Sequence, residues 1–250
     1  MATATKSEDG VLIQGKLVRW PVVVRDAASA SATFLVDAAG ARSMLPSPDL
    51  DVIEVLPGRT LFSLACIDYV DNDLGDYNEV SLAFFVRERK VPRGIPWLGA
   101  ALDFLRGRVS TYIFWLPVDQ AFTCEAGETM WGFPKTVEKI DFDHSGKRAS
   151  CTLTSGGRHV LTLAMPKGGT RTLPENTMTT YTTMDDRTCA TRFVSESSGV
   201  GFFRSGVELT LGNHPTAAWL RELGLPKAPI AAVWMEHMRA SFGKPQPLQG

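Results

Sequence analysis

Apolar and polar positions alternate along most of this chain with a period of two, which is the mark of strands that bury one face. Residues 77–87 are the clearest case, with Val80, Leu82, Phe84 and Val86 on one face and Glu79 projecting opposite to Val80. Residues 52–56, 60–70, 110–116 and 120–125 read as further strands, and residues 11–24 and 32–36 as two strands around a turn of small residues. Residues 137–143, 148–154 and 158–165 are short strands separated by Ser145-Gly146 and Ser155-Gly156-Gly157, which are hairpin signals. Residues 177–183, 188–195 and 206–211 extend the pattern.

The period changes in four places. Asp37 is placed to cap a short helix through Met44, stopped by Pro46 and Pro48. Residues 97–106 put Trp97, Leu98, Ala101, Leu102 and Leu105 on one helical face. Residues 215–223 and 230–242 read as helices, the second with a stripe of Ile230, Val233, Trp234, His237 and Ser241 that would close the sheet against solvent. The class expected is α+β, predominantly antiparallel β: a barrel, cone or double β-sheet with a few covering helices. Without a fixed-period repeat or low-complexity linker, one domain is expected over residues 11–243, with tails at 1–10 and 244–250.

Composition narrows the function classes. The chain has 250 residues, 44% of them hydrophobic, enough for a real core. Lys and Arg total 26 against 27 Asp and Glu, with no long block of either sign, so neither a nucleic-acid partner nor a membrane surface is expected. A small-molecule ligand fits better. Cys66, Cys124, Cys151 and Cys189 are dispersed, without zinc-finger or disulfide-framework spacing, and no stretch has the length of a membrane span or the form of a signal peptide. The expectation is a cytoplasmic protein.

The usual cofactor motifs are missing. Residues 71–76 form an Asp/Asn turn that lacks the spacing of a calcium loop, and residues 199–206 carry glycines near dinucleotide spacing but without a following helix. There is no nucleophile elbow and no zinc-binding helix, and His144, His159, His214 and His237 stand apart in sequence. No metal and no cofactor is therefore expected.

What stands out is residues 127–136, Gly-Glu-Thr-Met-Trp-Gly-Phe-Pro-Lys-Thr. Pro134 stiffens the backbone that carries Lys135. An ordinary lysine, with a pKa of about 10.4, is protonated at neutral pH, and an ammonium cannot attack a carbonyl. Desolvation among Met130, Trp131 and Phe133 would disfavour the charged form and make Lys135 a Schiff-base former. The structural alternative is a lysine that snorkels to water past side chains that only pack.

This run, with its Gly-Phe-Pro-Lys core, resembles the active-site segment of the acetoacetate decarboxylase family, whose lysine forms an iminium with the substrate ketone. Residues 74–79, Leu-Gly-Asp-Tyr-Asn-Glu, resemble the family's turn and strand carrying an active-site glutamate, here Glu79. Arg25, followed by Val36-Asp37 and residues 42–46, resembles the region supplying a substrate-facing arginine. Residues 212–225 and 236–239 also look like bacterial members. The resemblance implies catalytic Lys135 and Glu79, substrate contacts from Arg25, Met130, Trp131 and Phe133, a small oxo-acid substrate and a homo-oligomer.

The sequence departs from the family at Thr136, where well-known decarboxylases have a second lysine, so activation of Lys135 must come from desolvation or from a more distant group such as Lys139. No acidic counterpart appears near Ser63 and Leu64, and Glu128 stands where the family often has arginine. Lyase chemistry by decarboxylation through a Lys135 iminium is the expectation. The alternatives are an aldolase-dehydratase using the same lysine on a larger oxo acid, and a non-catalytic binding protein. In the last case Glu79 and Arg25 are ordinary strand residues and the aromatic side chains are core.

Overall fold

The computed structural model describes residues 6–7, 10–90 and 110–248. The helix expected over residues 97–106 lies outside the described residues. In chain order the strands are β1 (Lys6–Ser7), β2 (Gly10–Ile13), β3 (Lys16–Arg19), β4 (Val22–Asp37), β5 (Leu50–Val52), β6 (Glu54–Leu56) and β7 (Arg59–Asn72). They continue with β8 (Tyr77–Glu88), β9 (Ser110–Val118), β10 (Lys135–Val137), β11 (Lys139–Asp143), β12 (Arg148–Ser155) and β13 (Arg158–Pro166). The last are β14 (Arg171–Met184), β15 (Arg187–Phe203), β16 (Glu208–Leu211), β17 (Ala231–Met235), β18 (His237–Phe242) and β19 (Gln246–Pro247). Among the described residues the helices are α1 (Ala38–Ser43), α2 (Ala121–Trp131) and α3 (Pro215–Glu222), and none is long and apolar enough to cross a membrane.

The large sheet runs β10-β9-β14-β15-β17-β4-β7-β8-β5, and β8 also pairs with β9, so the path closes on itself as a barrel. Only β10 and β14 pair with β9 in parallel; the remaining pairings are antiparallel. Strands β11-β12-β13-β16 form a separate four-stranded sheet, and β1-β2-β3 a small one at the N-terminus. The expected class, α+β and predominantly antiparallel β with a few covering helices, is the class observed, and of the barrel, cone and double sheet expected, the pairing gives the closed form.

Alternation along the barrel strands makes two main cores, beside a small cluster of Ile53, Leu61 and Phe85. Val80, Leu82, Phe84 and Val86 join Phe34, Phe62, Leu64 and Trp234, and pack against Ile140, Cys151, Leu153, Leu161 and Leu163 of the four-stranded sheet and Leu220 and Leu223 of the α3 region. Burying each of the larger of these side chains contributes roughly 1.5–3 kcal/mol. The opposite face carries Ile67, Tyr69 and Tyr77, and it is covered by Ala126, Met130 and Trp131 of α2 and by Val11, Ile13 and Val18 of the N-terminal hairpin. The residues of the candidate site lie in this second core.

Several expectations need correction. Residues 120–125 are not a strand but the start of α2, whose buried residues Thr123, Ala126, Gly127, Met130 and Trp131 follow helical spacing. A six-residue window was too short to reveal that period. Conversely, residues 230–242 are strands β17 and β18: Ala232, Trp234, Met238 and Ala240 are buried while Ile230 is 54% exposed, a period of two. The small residues at 26–31 form no turn. They continue β4, where Ala28, Ala30 and Ala32 pack inward and pair with β7. The stretches read as tails also pair, β1 with β2 and β19 with β15.

Candidate active site

Helix α2 ends at Gly132, which adopts a left-handed conformation, φ 67°, that a side chain resists. Its amide donates to the Glu128 carbonyl at 3.0 Å, and the next amide, Phe133, donates to Gly127 at 3.2 Å. Pro134 then fixes a tight three-residue turn in which the Lys135 amide donates back to the Phe133 carbonyl at 2.8 Å. The Leu116 amide donates to the Pro134 carbonyl at 3.0 Å, and β10 pairs with β9 with Lys135 opposite Leu116. Thr182 Oγ1 donates to the Trp131 carbonyl at 2.6 Å, tying the helix end to β14. The backbone at Lys135 is thus held on both sides.

The lysine side chain lies across α2 at Gly127 and ends in the second core. Its Nζ donates to Glu79 Oε2 at 2.7 Å, and the two side chains are only 4% and 7% exposed. The other oxygen, Oε1, accepts from the Tyr69 hydroxyl at 3.2 Å. Tyr77 lies beneath Nζ, 5.2 Å from ring centroid to nitrogen, and stacks on Tyr69 at 4.5 Å. Burial first, and then the Glu79 charge, push both phenols well above the ordinary tyrosine range, so both remain proton donors.

Together these groups close one end of a cavity of about 50 Å³. The rest of its wall is mainly apolar: Val22, Val24, Ile113, Leu116, Trp131, Phe133 and Phe242, with Asn72 and Thr180 as polar exceptions. That volume is roughly a third of a cavity that holds benzene, so the space beside the amine is narrow. Lys135 is the sole cation and Glu79 the sole carboxylate in the wall among the described residues. No group of His, Cys, Asp and Glu among the described residues is placed to hold a metal.

Of the residues expected at a site, the structure brings together Lys135, Glu79, Trp131 and Phe133. Met130 is buried but does not line the cavity; one position before Trp131 on the helix, it turns into the core beside Ala126. Arg25 is also displaced. Its neighbour Val24 faces the cavity, so alternation sends Arg25 to the other side of β4, where Asp71 and Asp73 hold its guanidinium at 2.8 and 2.7 Å. The acidic turn therefore binds an arginine of its own chain.

The more distant activating group expected, Lys139, is not at the site, and position 136 supplies none, as expected. Thr136 is exposed and its Oγ1 accepts from Trp115 Nε1 at 2.9 Å, so a side chain at that position points away from the Lys135 amine. Lys139 is exposed on the four-stranded sheet and paired with Asp141 at 3.0 Å. The sequence reading missed Tyr69, Tyr77, Asn72 and Thr180. Tyr77 was within reach, since it shares a strand face with Glu79 two positions on, but Tyr69 needed the register that sets it opposite Tyr77.

Comparison with known proteins gives one family. The profile of the family described as Acetoacetate decarboxylase (ADC) matches residues 14–247. No curated protein sequence matches the chain. Among solved structures, the acetoacetate decarboxylase of Legionella pneumophila is 15% identical with a TM-score of 0.65, covering 92% of this chain and 87% of its own. The enduracididine biosynthesis enzyme MppR, complexed with the condensation product of pyruvate and imidazole 4-carboxaldehyde, is 15% identical with a TM-score of 0.66, covering 99% and 97%. An acetoacetate decarboxylase-like enzyme from Sphingomonas wittichii is 13% identical with a TM-score of 0.59, covering 94% and 96%. At these identities the likeness is one of fold.

Proposed function

The chain belongs to the acetoacetate decarboxylase family, and on that premise we propose that it is a Schiff-base-forming lyase that decarboxylates a small oxo acid through an iminium on Lys135. The observation that supports this most directly is the buried contact of 2.7 Å between Lys135 Nζ and Glu79 Oε2. In a water-poor cavity, two separated charges are expensive, and a short hydrogen bond gives the ammonium proton an acceptor. Transfer of that proton leaves a neutral amine and a neutral acid in the geometry that attack requires.

The amine adds to the carbonyl carbon, and the carbinolamine hydroxyl takes a proton from Glu79 and leaves as water. The resulting iminium is an electron sink. With a carboxylate on the carbon next to the iminium carbon, the bond to that carboxylate breaks, its electron pair forms the enamine, and carbon dioxide departs. The enamine takes a proton at carbon, and water hydrolyses the iminium to ketone and free Lys135. The apolar wall of Val22, Val24, Ile113, Leu116 and Phe133 limits hydration of these intermediates.

One observation supports a second reading. Lys135 is the sole cation in the described cavity wall, so no second cation meets a substrate carboxylate there. An aldolase-dehydratase, which makes or breaks a carbon–carbon bond at the enamine carbon without losing carbon dioxide, would use the same single amine. The test is borohydride reduction of the protein with acetoacetate and, separately, pyruvate, followed by peptide mass analysis and measurement of released carbon dioxide. Label on Lys135 with carbon dioxide release supports the decarboxylase, and label without release supports the aldolase. Absence of label with either acid overturns both.

A further inference from the structure

Tyr69 forms with Glu79 a contact that the chemistry above leaves unused, and it is built by strand register. Tyr69 pairs with Tyr77 across β7 and β8, and Ile67 pairs with Glu79, so Tyr69 and Glu79 are diagonal neighbours on one face. The Tyr69 side chain is buried in the second core, with its ring stacked on Tyr77 and its hydroxyl on Glu79 Oε1. Glu79 therefore has two unequal oxygens: Oε1 accepts from a phenol at 3.2 Å and Oε2 from Lys135 at 2.7 Å. With Oε1 held by the phenol, Oε2 is the oxygen turned toward the amine.

We propose that Tyr69 is the positioning residue of this site: its hydroxyl locks Glu79 through Oε1 so that Oε2 alone exchanges protons with Lys135. The inference rests on the iminium chemistry proposed above. The hydroxyl fixes the angle at which Oε2 meets the amine, and misplacement of a catalytic group by a fraction of an ångström lowers rate more than binding. Tyr77 differs in kind, because its ring face, not its hydroxyl, meets Nζ.

The test compares Tyr69→Phe with Tyr181→Phe. Tyr181 is also buried and also donates to a glutamate, Glu88 Oε1 at 2.8 Å, but it packs in the other core. Each substitution removes one tyrosine–glutamate hydrogen bond, so the pair separates lost structure from lost positioning. The measurement is the rate of Lys135 labelling by acetoacetate and cyanoborohydride against pH, with acetoacetate concentration varied at each pH. Tyr69→Phe is expected to lower the saturating rate roughly 10- to 100-fold with little change in half-saturation. Tyr181→Phe is expected to keep the wild-type profile. Equal profiles for wild type and Tyr69→Phe overturn the proposal, as does an equal loss in both variants. Absence of label in the wild type with both acetoacetate and pyruvate instead overturns the iminium reading itself.

Discussion

The side chain of Lys135 crosses helix α2 at Gly127 so closely that a β-carbon there would lie 2.4 Å from both Lys135 Cδ and Cε. Glycine in a helix interior normally costs about 1 kcal/mol relative to alanine, so this one is kept against propensity. Its absent side chain is the channel through which the lysine reaches Glu79.

Gly127→Ala is accordingly expected to leave the fold in place while displacing the amine. The clash falls on a flexible side chain, not on backbone, and the propensity gain of about 1 kcal/mol offsets an overpacking cost of about 1–3 kcal/mol. Thermal stability should change little, whereas Lys135 labelling by acetoacetate and borohydride should fall at least about tenfold. Unchanged labelling would show that the lysine has another route to its partner.

The buried pair makes a thermodynamic prediction. Removing one member leaves the other charged or unsatisfied, and Lys135→Met should cost about 3–5 kcal/mol. The double variant Lys135→Met with Glu79→Gln should recover much of that loss, because the remaining amide is neutral and still accepts from Tyr69. Denaturant unfolding of the two single variants and the double one measures the coupling. Additive losses would mean that the pair is not a unit.

How far the site could be read from sequence follows from what each residue depends on. Lys135 and Glu79 lie in local motifs, and Glu79 declares its face through alternation with Val80, so both were legible. The side of β4 that faces the cavity was not, because bulges near Asp26 reset the alternation and put Val24 inward and Arg25 outward. Helix α2 and strands β17 and β18 were exchanged for one reason: six to thirteen residues of mixed small and apolar side chains fit both periods, and tertiary packing decides. Tyr69 and Thr180 depend on register between strands distant in sequence, which no local pattern carries.

Alkaline titration tests the environment of the tyrosines. All four tyrosines of the chain, Tyr69, Tyr77, Tyr112 and Tyr181, are raised by burial, and Tyr181, helped by Glu88, is pushed up to about 12. The unfolded chain releases these protons near pH 10, so the folded state binds more protons above that pH. Their contribution to stability is fully present below about pH 10 and is lost as pH rises through the folded values. Tyrosinate absorbance of the native protein should therefore stay flat through pH 10, with denaturant stability falling beyond it. A phenol that ionises near 10 while the protein is folded would contradict this.

The last prediction separates the two faces of β4. Val24 lines the cavity, whereas Arg25 faces away and is bound by Asp71 and Asp73, with its own side chain 47% exposed. Exposed pairs of this kind are screened by solvent and contribute little, so Arg25→Met should lower stability only slightly. Because the guanidinium does not meet the cavity, the labelling rate of Lys135 should stay within about threefold of wild type at every pH, a change that corresponds to less than about 1 kcal/mol. Val24→Asp should behave in the opposite way, introducing a carboxylate into the apolar wall that competes with Glu79 for the amine and repels an anionic substrate. A large loss in Arg25→Met at saturating acetoacetate would return the arginine to the site, and would require that the turn carrying Asp71 and Asp73 release it when substrate binds.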